Sequence, residues 1–167
     1  MKKLGLVLII CFSLVMFSGG AFAQVTDTEP LTINAVVAGA ATLVLGTNTI
    51  NFASADPDTV PSIAATENPV SVTVRARTGS ADTVTLTHIA DGPLDSGTDT
   101  IAISNVTWTA GGAGFVAGTM SDTIDVSAGS WTGSGEQIGT FDYAFANSWS
   151  YAIGTYTQTS TYTLTAP

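Results

Sequence analysis

Cysteine is almost missing from this chain: its single copy is Cys11. One cysteine with one histidine, His88, excludes a disulfide framework and a tetrahedral zinc set. Basic residues are nearly as scarce. Lys2 and Lys3 open the chain, and only Arg75 and Arg77 come after them. Nucleic-acid binders need clustered Lys and Arg to neutralise phosphates, so that class is excluded, and anionic membrane surfaces with it. No lysine past Lys3 can act as a base. No Gly-x-Ser-x-Gly elbow is present, the nearest approach being Gly129 and Ser130 to Gly135. No window carries a helical period. A non-enzymatic protein without a cofactor is expected.

What the chain does have begins with an export signal. Lys2 and Lys3 precede an apolar run over residues 4–17, and Ala21-Phe22-Ala23 is a small-x-small cleavage site. Residues 1–23 are expected to be a signal peptide, with no stable membrane insertion after cleavage. Cys11 sits inside the apolar run, so lipidation is rejected. Residues 24–30 form a polar tail, and residues 31–167 a single domain. Loss of Lys2 and Lys3 leaves two arginines against 13 acidic residues, a net charge of −11. Such acidity suits solubility outside the cytoplasm, in the periplasm or at a bacterial cell surface.

Period-two alternation dominates residues 31–167. Thr155, Thr157, Thr159, Thr161, Thr163 and Thr165 occupy every odd position of the tail, with Tyr156, Gln158, Ser160, Tyr162 and Leu164 between them. Alternation places these two sets on opposite faces of a strand. Residues 70–77 set Val70, Val72, Val74 and Ala76 against Ser71, Thr73, Arg75 and Arg77. A five-residue hairpin loop, 78–82, is expected to return the chain through 83–88, with Val84 and Leu86 inward. His88 shares their parity and is expected to be a satisfied or half-exposed structural residue. Residues 31–37 alternate, with Leu31, Ile33, Ala35 and Val37 on one side. Strands are also expected at 42–45, 47–52, 115–120, 123–126 and 137–145. The last should set Ile138, Phe141, Tyr143 and Phe145 in the core. A phase change between Ile103 and Val106 marks a bulge or corner near Ser104 and Asn105. Residues 53–68 and 90–100 read as loops, and 129–135 as a flexible connection. Eight to ten short strands give an all-β fold, an antiparallel β-sandwich.

Two ligand chemistries remain as alternatives. Trp131, Trp149 and Tyr151 could stack on sugar rings, although aromatics more often fill a core. Asp91, Asp95 and Asp99, and separately Asp56 and Asp58, offer oxygen ligands for calcium, without the alternating spacing of a calcium loop. A threonine array can also suit an ice surface, which needs several adjacent flat threonine strands.

The segment from Trp149 through Tyr151, Gly154 and Tyr156, leading into alternation up to Thr165, resembles the closing segment of bacterial secreted pilin-like domains. These are the spore coat protein U-like and chaperone–usher pilin group. Gly154 is the fourteenth residue from the end, as in the pilin pattern, and Tyr156 comes two residues later. The ending Tyr162 to Pro167 is more weakly similar to that of WxL domains. Ala166 stands where many pilins carry tyrosine. The resemblance implies an immunoglobulin-like sandwich serving as a pilus, fibre or coat-like subunit or adhesion module. Its partners would be further copies, sibling surface subunits and a secretion chaperone. A neighbour's strand would complete the sheet, with Leu31, Ile33, Ala35, Val37, Gly154, Tyr156, Tyr162 and Leu164 as subunit-interface residues. Residues 31–37 could instead pair within their own domain, the commoner arrangement for an alternating segment.

Overall fold

A computed structural model describes residues 27–167. The expected signal peptide lies outside the described residues. The chain divides into two units, Met1–Ala35 and Val36–Pro167. In the first, the described residues 27–35 carry no regular structure, and Leu31 and Ile33 are 83% and 82% exposed. The expected strand over 31–37 is therefore corrected: residues 27–39 contain none.

The first strand of the second unit is β1, Ala40–Leu45, antiparallel to β3, Val70–Arg77. Their register explains where β1 starts. Ala40 faces Arg77, the last residue of β3. Anything before Ala40 has run off the end of its partner, so alternation alone cannot make it a strand. Between them lies the short β2, Ser62–Ala64, inside the expected loop 53–68. Next come β4, Thr83–Ala90, and a small pair, β5, Leu94–Asp95, and β6, Thr100–Ile101. A 3-10 turn, Ile103–Asn105, makes the expected corner before β7, Val106–Gly111. The remaining strands are β8, Gly118–Thr119; β9, Val126–Thr132; β10, Gly135–Ala146; and β11, Ser160–Thr165.

These strands build an antiparallel β-sandwich. The larger sheet has the order β1-β3-β10-β7-β8, with β2 also on β10; the smaller has the order β11-β4-β9. β3 and β4 thus lie in different sheets. The link 78–82 crosses between the sheets and is no hairpin, which corrects the expectation from sequence. Alternation within β3 and β4 is as expected. Val70, Val72 and Val74 are buried from one sheet, Val84 and Leu86 from the other. Each such side chain contributes about 1.5–3 kcal/mol of transfer free energy. Asp82 secures the crossing: its carboxylate accepts the Gly79 N–H and the Thr78 hydroxyl.

The core lies between the facing sheets and is largely aromatic. Trp108 of β7 and Phe141 and Tyr143 of β10 are buried. Tyr162 of β11 stacks on Phe141, centroids 5.6 Å apart and planes 16° from parallel. Its hydroxyl meets that of Tyr143 at 2.8 Å, joining the two sheets. Burial holds both phenols above their ordinary range, most strongly Tyr162. Ile138, expected in the core from sequence, is instead 64% exposed. Its even number puts it on the face opposite Phe141 and Tyr143. Residues 129–132, expected to be flexible, complete β9. Gly129 is buried there because the Trp131 ring occupies the space of a side chain.

His88 is also buried, at 0% exposure, and neither ring nitrogen has a hydrogen-bond partner. The expected satisfied or half-exposed histidine is thus corrected. Its ring lies 4.7 Å from Tyr162 and 5.4 Å from Trp108. Burial lowers its pKa to about 4.

Candidate functional site

A groove of about 670 Å³ opens beside the terminal segment. One wall is residues 48–55, expected to hold a strand as far as residue 52. Only the isolated bridge between Phe52 and Ala65 forms there. Glu67 pins this wall by accepting the Asn51 side-chain N–H at 2.6 Å and its backbone N–H at 2.7 Å. Those two bonds lower the Glu67 pKa, the side-chain bond most. The opposite wall is residues 154–160, of which Thr157 pairs with Asp95 through both backbone groups. Tyr156 and Gln158, on either side of Thr157, also line the groove. The floor is apolar: Leu94, Ile101, Ile103, Val106, Met120 and Phe145. No acidic or basic residue lines this groove.

The expected interface residues separate on this geometry. Gly154 and Tyr156 line the groove. Gly154 packs closely, since a side-chain carbon there would come within 3.1 Å of Ser96. The Tyr156 hydroxyl donates to the Ala152 carbonyl at 2.9 Å, fixing the turn before the wall. Tyr162 and Leu164 instead face the sandwich core and dock the strand in its own domain. Leu31, Ile33, Ala35 and Val37 are exposed. The wall at 48–55 was missed by sequence reasoning. Its available signal was the run of amides and hydroxyls, Asn48, Thr49 and Asn51, set around Ile50 and Phe52.

The three aromatics proposed for sugars also separate. Trp131 is half-buried, donates its indole N–H to the Ala113 carbonyl at 2.8 Å, and packs edge-on against Phe115. Tyr151 packs on Phe145, centroids 5.6 Å apart, and lines the groove. Trp149 is 69% exposed, and its indole N–H donates to Asp58 Oδ1 at 3.0 Å. The 12-residue β10 separates Trp131 from Trp149 in sequence and spans roughly 36 Å at strand rise. The aspartates do not gather: among the described residues no group of three potential metal ligands comes together. Asp95 accepts the Gly97 N–H at 2.6 Å and Asp99 the Thr98 hydroxyl at 3.0 Å, both local turn bonds.

No family model, curated protein or solved structure matches this chain.

Proposed function

We propose that this protein is an exported, non-enzymatic surface subunit that assembles by strand pairing, with residues 31–37 of one copy entering the groove of the next. The observation that carries this reading is the coexistence of an open, uncharged groove with an apolar floor and an unpaired alternating segment. Leu31, Ile33 and Val37 are 83%, 82% and 69% exposed. Exposing that much apolar surface is unfavourable, by about 25 cal/mol per Å². The groove has the matching chemistry, with an apolar floor for alternate side chains and an extended segment, Tyr156 to Gln158, along one wall. Its uncharged lining suits a segment with no charge over residues 31–37.

Size-exclusion chromatography and electron microscopy test this. Residues 24–167 should form head-to-tail multimers that dissociate on heating in detergent. Residues 38–167 should remain monomeric. Equal polymerisation of the shortened chain would remove the proposal.

A further inference from the structure

Trp149 carries a second inference, independent of strand exchange because all its parts lie on one copy. Of the three tryptophans, Trp108 is 2% exposed and Trp131 is half-buried against Ala113 and Phe115. Trp149 alone presents most of its ring to solvent. It is nevertheless held in place. Its only polar atom is satisfied by Asp58, so what remains open is apolar ring surface. Both supporting loops are tied down. Asn147 Nδ2 donates to the carbonyls of Ala55 and Val60, each at 3.0 Å, and the Asn147 N–H reaches the Pro61 carbonyl at 2.9 Å. On the other side, Asp56 Oδ1 accepts the Asp58 N–H at 2.9 Å. The ring is therefore oriented before any ligand arrives, which reduces the entropy lost on binding.

We propose that Trp149 is a stacking platform for a neutral pyranose ring of a polysaccharide. An indole fixed through its N–H offers a flat apolar face, and the C–H face of a pyranose is its complement. Around it stand groups that bond hydroxyls: the Ser148 and Ser150 side chains, 2.8 Å from each other, and the Asp58 carboxylate. A protein partner fits less well: the groups that hold and flank the ring are the Asp58 carboxylate and the Ser148 and Ser150 hydroxyls, whereas the centre of a stable protein interface is depleted of charge. Asp56 and Asp58 also disfavour an acidic sugar.

Titration of residues 24–167 with neutral hexasaccharides of glucose, xylose, mannose and N-acetylglucosamine, monitored by tryptophan fluorescence and calorimetry, tests the platform. At least one should bind. Trp149→Ala should weaken that binding about tenfold or more, the loss of one stacking contact. Trp149→Phe should weaken it less. Asp58→Ala, which frees the ring, should also weaken it, whereas Ile153→Ser should leave it unchanged. Multimer formation should be unaffected by Trp149→Ala, which separates this site from the groove. No binding by any of the series at millimolar sugar, or full binding by Trp149→Ala, would overturn the proposal.

Discussion

His88 is the buried polar residue of the core, and it has no polar partner. The Tyr162 ring packs against it, and the Tyr162 hydroxyl is bonded to that of Tyr143. Neither offers a negative charge to an imidazolium at acidic or neutral pH. The folded chain thus keeps His88 neutral down to about pH 4, while an unfolded chain protonates it near 6.5. Unfolding is then accompanied by proton uptake between those values. The stability is fully present above 6.5 and falls as pH drops toward 4, by about 3 kcal/mol over the whole span. Denaturant unfolding of the chain and of His88→Leu at pH 7 and pH 4 should show this difference; parallel behaviour of the two would refute it. Tyr162→Phe tests the neighbouring contact. It removes the hydroxyl pair but keeps the ring stack, and should cost about 1–2 kcal/mol, read from the same experiment.

Strand faces were legible where side chains alternate and a partner exists. Val70 to Val74, Val84 to Leu86, and Tyr162 with Leu164 all point inward as the period of two requires. The corner at Ile103–Asn105 was legible from its phase shift. Pairing partners were not. A short loop with an aspartate can close a hairpin or cross between sheets, and residues 78–82 cross. Residues 31–37 have a strand's pattern and form no strand, because side-chain alternation does not by itself supply a pairing partner. Half of the groove was legible, through Gly154 and Tyr156. The facing wall was not, because residues 48–52 alternate without forming a ladder. Glycine in β10 shows a related limit of pattern reading. Gly139 is buried in the central strand, and an added carbon would strike the Phe115 ring and the Gly111 carbonyl. Gly139→Ala is expected to destabilise the fold by about 1–3 kcal/mol through overpacking, measured by urea unfolding.

At the scale of the whole molecule, the sandwich is closed on its core and open at its groove. Charge is kept off the groove even though the chain is strongly acidic. Assembly by strand entry should therefore depend weakly on salt, since it is driven by apolar burial and backbone pairing rather than by ion pairs. Multimer yield at low and high salt, read by light scattering, checks this; dissociation at high salt would contradict it. The most direct measurement uses a synthetic peptide of residues 29–38 added to residues 38–167. The peptide should bind and raise the melting temperature, and a peptide with Ile33→Asp should do neither. An unchanged melting curve with the native peptide, beside continued assembly of the longer chain, would contradict it.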